Sequence, residues 1–168
     1  FTATIQATEE AIINALFACF LAIFASPVLA LTNGDAAPVF ELPGDGTAVK
    51  LSNLKGKVVY VDFWASWCGP CKQSFPWLNE MQSKYGAKGF QVVGINVDAN
   101  TADAKTFLAG LPAKFMVAYD EKGVTPKSYG IKGMPSSVLL DGNGKVILQH
   151  TGFRDADRAE LEKSIQQA

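Results

Sequence analysis

The feature that most restricts how this chain can fold is a Cys-x-x-Cys motif placed between an apolar run and an amphipathic stretch. Residues 58–63 are rich in β-favouring types without polar alternation, which predicts a strand buried on both faces. Residues 72–85 carry apolar side chains at helical spacing, so a helix is expected there. The motif that holds Cys68 and Cys71 therefore lies where a buried strand ends and a helix begins.

The position of the two cysteines predicts a specific chemistry. Unpaired backbone N–H groups and the helix dipole stabilise a thiolate at the start of a helix, so we expect Cys68 to be the nucleophile. Cys71 follows nearly one helical turn later, and its thiol can attack the Cys68 sulfur of a mixed disulfide. The pair therefore predicts thiol–disulfide exchange, with the Cys68–Cys71 disulfide as the redox centre and no further cofactor.

Two other uses of a cysteine pair stay open at this point. A structural zinc site takes four ligands, whereas Cys68, Cys71 and His150, which is the only histidine, supply three, so we expect no metal. A purely structural disulfide is the second alternative, although the strand-to-helix position and the neighbouring Trp67 favour a redox role. We expect His150 itself to be an exposed residue at the end of a strand, without a catalytic role.

Residues 1–30 have the character of a targeting segment. The run over residues 11–25 is almost entirely apolar, and its length suits the core of a secretory signal better than a bilayer span of about 20 residues. Small residues ending at Ala30 are typical of a cleavage site, but no basic residue precedes the apolar run. We expect a signal peptide cleaved near Ala30 or, alternatively, a membrane anchor over residues 11–31. Cys19 lies in this segment as a small apolar residue.

Charge and length limit the location and the partners. Fifteen Lys and Arg against 16 Asp and Glu give a net charge of −1, so nothing indicates a nucleic-acid binder. Export would place the protein in a periplasmic or other extracytoplasmic compartment, where disulfide chemistry is permitted. The 168 residues allow one domain. We expect a linker over residues 31–37 and a single domain over residues 38–168.

The remaining patterns predict strands that alternate with helices. Turn-forming residues separate two pairs of β-favouring runs, which predicts one hairpin early in the domain and another in its last third. The expected strands cover residues 39–42, 48–51, 58–63, 90–97, 115–119, 137–140 and 145–150. The expected helices cover residues 72–85, 101–108 with Thr101 as the cap, 125–129, and a last stretch from Asp155 or Asp157 to Ile165. This order predicts an α/β fold with a mixed sheet.

Three parts of the sequence resemble thioredoxins. Residues 61–72 resemble the thioredoxin active-site segment almost residue for residue. Pro76 matches the proline that kinks the active-site helix in that superfamily. Residues 133–135, Gly-Met-Pro, match the loop whose proline is cis. The chain is therefore identified, by resemblance, as a member of the thioredoxin superfamily.

Other features resemble the exported TlpA/ResA branch of that superfamily. They are the apolar leader, the Gly-Lys pair at residues 56–57 and an extra helix–strand unit within residues 98–123. The resemblance covers residues 36–167. It implies a thioredoxin fold, with a mixed central β-sheet flanked by helices, an N-terminal β-hairpin and a central helix–strand insertion.

The resemblance also implies a role for Asp62. This residue is set in the apolar run, six positions before Cys68. Burial would raise the pKa of its carboxyl group, and the resemblance implies that it accepts the proton of the resolving Cys71. The alternative is an inert, hydrogen-bonded polar residue at a strand end.

The same resemblance implies where a substrate binds. A cis bond before Pro135 would turn the backbone of Met134 toward a substrate chain and offer β-type pairing beside Cys68. The residues expected to form the substrate-binding surface are Trp67, Gly69, Pro70, Met134 and Pro135.

The function implied is that of an exported thiol–disulfide oxidoreductase, in which a membrane thiol donor re-reduces the cysteine pair. Its partners would be disulfide-containing exported proteins, such as apocytochrome c during cytochrome c maturation or copper-centre assembly proteins. Residues 133–136 read Gly-Met-Pro-Ser, not the Gly-Ala-Pro-Glu expected of cytochrome-specific members, which argues against that partner. We expect a monomer. A thiol peroxidase and a non-enzymatic metallochaperone or adaptor are the alternatives.

Overall fold

The computed structural model describes residues 31–168, and in it a short hairpin precedes a five-stranded mixed sheet. The strands are β1 (Glu41–Leu42), β2 (Val49–Lys50), β3 (Val58–Trp64), β4 (Phe90–Asn96), β5 (Met116–Tyr119), β6 (Ser136–Leu140) and β7 (Val146–Thr151). The α-helices are α1 (Gly69–Tyr85), α2 (Thr101–Gly110), α3 (Val124–Ser128) and α4 (Arg158–Gln167). Short 3₁₀ turns cover Leu51–Leu54, Gly86–Lys88 and Asp155–Asp157.

The sheet has the order β5-β4-β3-β6-β7, with β3 at its centre. Strands β3, β4 and β5 run parallel, because α1 and α2 carry the chain back between them. Strands β6 and β7 form a hairpin, and β6 pairs antiparallel with β3. This arrangement confirms the predicted α/β fold with a mixed central sheet, the early hairpin β1–β2 and the inserted unit α2–β5.

Strand β3 is buried on both faces, as its β-favouring sequence without polar alternation predicts. Successive side chains of a strand point to opposite sides. Tyr60 and Trp64 belong to the core on the side of α1 and α4, whereas Val61 and Phe63 belong to the core on the other side. The strand that leads to the cysteine pair is therefore fixed by packing from above and below.

Additional backbone pairing covers parts of both edges of the sheet. At β5, Gly44 forms an antiparallel bridge with Ala118, and the Tyr119 N–H donates to the Pro43 carbonyl at 2.9 Å. Glycine is required at position 44, because a Cβ atom there would lie 2.6 Å from the Thr47 carbonyl oxygen.

Residues 31–37, the expected linker, lie beside the β6–β7 hairpin. The Gly34 N–H donates to the Val146 carbonyl at 2.7 Å, and the Val146 N–H donates to the Asp35 carbonyl at 2.9 Å. The division between a linker and a domain at residue 38 stays a prediction. The signal peptide or anchor expected over residues 1–30 lies outside the described residues. Within residues 31–168, no helix has the length and apolar character needed to cross a membrane.

The cap of α2 differs from the expectation. Asn100, not Thr101, is the capping residue, and its side-chain oxygen accepts a hydrogen bond from the Ala102 N–H at 3.0 Å. Thr101 instead donates from its backbone N–H and its hydroxyl group to Glu121. Both residue types can cap a helix, so the local sequence did not distinguish them. The contact with Glu121, twenty residues away, decides it.

Candidate active site

The cysteine pair lies at the junction between β3 and α1. Cys68 is the N-terminal capping residue of α1, and its sulfur accepts a hydrogen bond from the Cys71 N–H at 3.2 Å. The two sulfurs are joined in a disulfide, and the Cα atoms of the cysteines lie 5.3 Å apart. A thiolate on Cys68 would face the same N–H donor and the positive end of the helix dipole. The geometry therefore favours Cys68 over Cys71 as the residue that carries negative charge.

The two cysteines differ in access to solvent. Cys71 is completely buried, whereas Cys68 retains a small exposed fraction. The adjacent Trp67 is 70% exposed, although it is a large apolar side chain. Gly69 and Pro70, between the cysteines, are exposed as well. An incoming disulfide can therefore approach the cysteine pair from the side of Cys68, beside Trp67, and not from that of the buried Cys71.

Asp62 lies on β3 under the first half of α1. It points to the same face of the sheet as Tyr60 and Trp64, and these two contact α1 through Trp77 at 5.7 Å and Phe75 at 4.9 Å between ring centroids. Asp62 therefore lies beneath the part of the helix that carries Cys71.

The environment of Asp62 disfavours its charged form. The side chain is almost fully buried, and its Oδ2 atom has no hydrogen-bond partner among the described residues. Burial raises the pKa of Asp62 well above its usual range, because desolvation penalises the carboxylate. A carboxyl group with a raised pKa can take up and release a proton closer to neutral pH. Whether it exchanges that proton with Cys71 stays a proposal.

The loop before β6 lies beside the loop that carries Cys68. Phe63 of β3 pairs with Ser136 of β6, so the residues just before Ser136 lie next to the loop that carries Cys68. The bond between Met134 and Pro135 is cis, as the resemblance implied. Met134 is half-buried, and the Pro135 carbonyl accepts a hydrogen bond from the Gly152 N–H at 2.8 Å. The predicted binding residues thus lie near one another, although Pro135 itself is buried, and their role in binding stays a proposal.

A buried carboxylate that the sequence analysis missed supports the active-site loop. Asp98 follows β4 and accepts hydrogen bonds from the Ser66 N–H at 2.9 Å and the Ser66 hydroxyl at 3.1 Å. The Asn96 side-chain amide donates to the same carboxylate at 2.8 Å. Ser66 lies two residues before Cys68, so Asp98 holds the loop that presents the nucleophile.

One signal in the sequence pointed to Asp98. The residue directly follows a buried parallel strand, and the carboxyl ends of neighbouring parallel strands meet at one edge of a sheet. Strands β3 and β4 are such neighbours, so their following loops lie together. The sequence does not show which donors a carboxylate at that edge meets, because Ser66 and Asp98 are 32 positions apart.

Replacing Asp98 with alanine is expected to lower both stability and activity. The change leaves the half-buried Ser66 N–H and the buried Asn96 amide without their acceptor, which costs about 1–3 kcal/mol in the free energy of unfolding. Loss of the loop's support should also slow thiol–disulfide exchange about tenfold or more, since small displacements of a reacting group are costly. Urea unfolding and a disulfide-reduction assay measure the two effects.

The matched control is Asp103→Ala, which removes an exposed aspartate from the first turn of α2. It should leave the exchange rate unchanged and alter stability by less than about 1 kcal/mol. Equal effects of the two substitutions would contradict the role of Asp98.

His150 lies near the end of β7, as expected, but the expectation that it is exposed was wrong. The side chain is 23% exposed, and its buried Nε2 atom lies 3.4 Å from Asp157 Oδ2 without the alignment of a hydrogen bond. Asp157 follows β7 in the turn before α4, and its carboxylate lies against the imidazole. Within residues 31–168, no group of three or more His, Cys, Asp or Glu side chains is arranged to hold a metal ion.

The disulfide of the Cys-x-x-Cys motif lies at the start of a helix, after a buried central strand and beside a loop with a cis-proline. These features define a thiol–disulfide oxidoreductase of thioredoxin fold. The chain belongs to the Redoxin family, which it matches over residues 32–165. Within the thioredoxin superfamily it is a TlpA/ResA-like protein, as its relatives show.

Among curated proteins, the chain is similar to the thiol-disulfide oxidoreductase ResA of Bacillus thuringiensis subsp. konkukian. The two are 35% identical over 128 residues, which is 76% of this chain and 74% of the relative. Among solved structures, it is similar to a candidate thiol:disulfide interchange protein DsbE from Chlorobium tepidum. The TM-score is 0.81 and the identity 63%, over 82% of this chain and 98% of that one.

A third similar protein is the exposed lipoprotein thioredoxin of Streptococcus pneumoniae strain TIGR4. Its structure gives a TM-score of 0.69 at 31% identity, over 78% of this chain and all of the other. These likenesses support a thiol–disulfide oxidoreductase that acts on disulfide-containing proteins.

Proposed function

We propose that this protein reduces disulfides in exported partner proteins through the Cys68–Cys71 pair. The observation that carries the proposal is the placement of Cys68 at the N-terminus of α1, disulfide-bonded to the fully buried Cys71. The dipeptide between the cysteines, Gly69-Pro70, favours the reducing direction, because thioredoxins with this dipeptide have potentials of about −270 mV. The reaction then needs no cofactor or metal beyond the cysteine pair itself.

The reaction has two exchange steps. A Cys68 thiolate attacks one sulfur of the partner's disulfide, forms a mixed disulfide and releases the other sulfur as a thiolate. Asp62 takes the proton of Cys71, and the Cys71 thiolate then attacks the Cys68 sulfur. The partner leaves with both sulfurs reduced, and the protein is left with its internal disulfide. A membrane thiol donor restores the dithiol by the same exchange in reverse.

The partner binds at the surface formed by Trp67, Gly69, Pro70, Met134 and Pro135. Trp67 offers a large exposed apolar area directly beside the nucleophile, and aromatic side chains of this kind anchor many protein interfaces. The Met134 backbone lies next to the Cys68 loop, where it can pair with an extended segment of the partner.

The proposed location is extracytoplasmic, in the periplasm or at the cell surface. The support is the apolar segment over residues 11–25, the small residues ending at Ala30, and the likeness to an exposed lipoprotein thioredoxin. The protein would be released as a soluble monomer by cleavage near Ala30 or be held in the membrane by residues 11–31. The proposed partners are exported proteins with disulfides, among them apocytochrome c and copper-centre assembly proteins. Nucleic acid is not a proposed partner.

Counting thiols tests the proposed reaction. Fully reduced protein is mixed with excess of a disulfide-containing protein such as insulin, and free thiols on each component are counted after separation. We expect two thiols to be lost from this protein and two to appear on the substrate in each cycle, with catalytic turnover when a thiol donor is added.

The control variant is Cys68→Ser, which should give neither loss of thiols nor turnover. Stoichiometric binding of a metal ion without reduction of the substrate would instead support a metallochaperone. Faster oxidation by a hydroperoxide than by the disulfide substrate would support a peroxidase.

A further inference from the structure

A row of polar side chains crosses the sheet beneath α1. Asp62 of β3 pairs directly with Ser137 of β6, and Ser137 pairs directly with His150 of β7. Directly paired residues place their side chains on the same face of a sheet. The row therefore runs from the centre of the sheet at Asp62 to its edge strand at His150.

Burial decreases along this row toward the edge. Asp62 and Ser137 are 3% and 5% exposed, whereas the His150 side chain is 23% exposed. The residues that flank the row on this face are apolar, and they include Leu139 and Trp77. A line of polar groups in such surroundings costs stability, so its continuity from the redox site to the surface calls for a functional reason.

The middle of the row is already hydrogen-bonded. The Tyr60 hydroxyl and the Ser137 hydroxyl lie 2.7 Å apart, and either can donate the hydrogen bond. Tyr60 stands two residues before Asp62 on the same face of β3, and burial, with a smaller contribution from the charge of Asp62, raises the Tyr60 pKa. A pair of hydroxyl groups in which either can donate is suited to pass a proton along.

The two ends of the row each carry an unsatisfied atom. Asp62 Oδ2 and His150 Nε2 are buried, and neither has a hydrogen-bond partner in residues 31–168. Buried polar atoms rarely lack a hydrogen-bond partner. Groups of this kind commonly bond through a water molecule or after a small side-chain rotation. Asp62 Oδ2 is thus available for a bond to the row, and His150 Nε2 faces Asp157 Oδ2 at 3.4 Å, at the outer end of the row.

We propose that Asp62 exchanges its proton with solvent along this row, through the Ser137 and Tyr60 hydroxyl groups, with His150 as the proton-transfer residue at the protein surface. The proposal rests on the proposed role of Asp62 as proton acceptor for Cys71. Histidine suits the surface end, because imidazole gains and loses protons near neutral pH.

The proton balance of one cycle requires such a route. Asp62 must be a carboxylate before it accepts the Cys71 proton, and burial keeps it protonated to higher pH than usual. Asp62 first passes its proton to the row, and His150 releases it to solvent. The carboxylate then takes the Cys71 proton, the Cys71 thiolate attacks the Cys68 sulfur, and the partner leaves as a thiolate. Asp62 is then protonated again, as it was at the start, so each oxidation sends one proton outward along the row.

Several titratable groups adjoin the row within residues 31–168. Tyr60 of β3 and Cys71 of α1 belong to the core on the Asp62 side of the sheet, and the β4 neighbour of Asp62 is Gly94. At the other end, Asp157 faces His150 and is itself bonded by Arg154 at 3.1 Å. Asp157 can therefore hold the imidazolium while the proton is in transit.

The test measures the single-turnover oxidation of the reduced full-length protein by a disulfide substrate, followed by tryptophan fluorescence from pH 6 to 9 at low buffer concentration. His150→Ala and His150→Gln should both slow this oxidation about tenfold. Added imidazole should restore the rate of His150→Ala in proportion to its concentration. A merely structural role would be restored by glutamine and not by free imidazole.

Ser137→Ala is the second variant, because it interrupts the row inside the protein. It should also slow the oxidation, but free imidazole should not restore its rate. Thr151→Ala, an exposed neighbour of His150 on β7, is the control and should match the wild type. Circular dichroism confirms that each variant is folded before its rate is compared.

Two outcomes overturn the proposal in distinguishable ways. Wild-type rates in His150→Ala at every pH, alongside a slow Asp62→Asn variant, would eliminate the row while leaving the role of Asp62 intact. A wild-type rate in Asp62→Asn would remove the role of Asp62 and the row together. In neither case would the thiol count of the proposed function change, so failure of that function is detected separately.

Discussion

A Cys71→Ser variant is expected to remain covalently attached to its disulfide partner through Cys68. The serine hydroxyl cannot attack the Cys68 sulfur under these conditions, so the second exchange step is lost while the first is kept. Steady-state turnover should fall by about 10³-fold or more. One thiol should be released per protein molecule, in place of two. Intact-mass measurement of the non-reduced product would show the sum of the two proteins.

The same experiment on the whole cell envelope would identify the partner. The variant should carry Cys19→Ala as well, so that any captured protein is joined through Cys68. A matched variant, Cys68→Ser with Cys71 intact, should capture little, because Cys71 is completely buried. Capture through Cys71 at the same level would contradict the assignment of nucleophile and resolving residue.

An Asp62→Asn variant is expected to be slower in exchange and more stable at alkaline pH. The amide cannot accept the Cys71 proton, so the resolving step should slow by about 10²-fold near neutral pH. Stability should change with pH because burial raises the Asp62 pKa above its usual 3.8 in the folded state only. The folded wild type then binds more protons than the unfolded chain between these two pKa values, so its stability falls as the pH rises through that interval.

Equilibrium unfolding in urea from pH 3 to 9 measures the second effect. Wild type and Asp62→Asn should differ by a constant amount below pH 3.8, where the carboxyl is neutral in both states. Above pH 3.8 the free energy of unfolding of the variant should rise relative to that of the wild type, by about 1.4 kcal/mol for each unit by which the pKa is raised. Asp103→Asn, at an exposed position, should show no such divergence. A pH-independent difference in the free energy of unfolding would mean that the pKa of Asp62 is not raised in the folded protein.

The sequence was sufficient for those parts of the site that depend on neighbouring residues. The apolar run at residues 58–63 and the helical spacing after it predicted a strand, a turn and a helix around Cys68 and Cys71, and the structure has them as β3 and α1. The position of Asp62 in a buried strand predicted its burial and raised pKa. In these cases the periodicity of one segment already determines which side chains are covered.

The remaining features depend on segments that are distant in sequence. The bond of Asp98 to Ser66, the contact of His150 with Asp157, and the pairing of Tyr60 with Ser137 all join residues from different elements. Periodicity shows which face of a strand is buried but not which strand lies beside it. The row from Asp62 to His150 becomes visible only when the register of β3, β6 and β7 is known.

The extra pairing at the two sides of the sheet has a consequence for how this protein meets other chains. An open strand edge is a template on which another polypeptide can add a strand. Here Pro43 and Gly44 occupy part of the β5 side, and residues 34–37 occupy part of the β7 side. Growth of the sheet by self-association is thereby restricted on both sides. In the proposed binding mode, an extended partner chain pairs instead with the backbone of Met134, in the loop before β6.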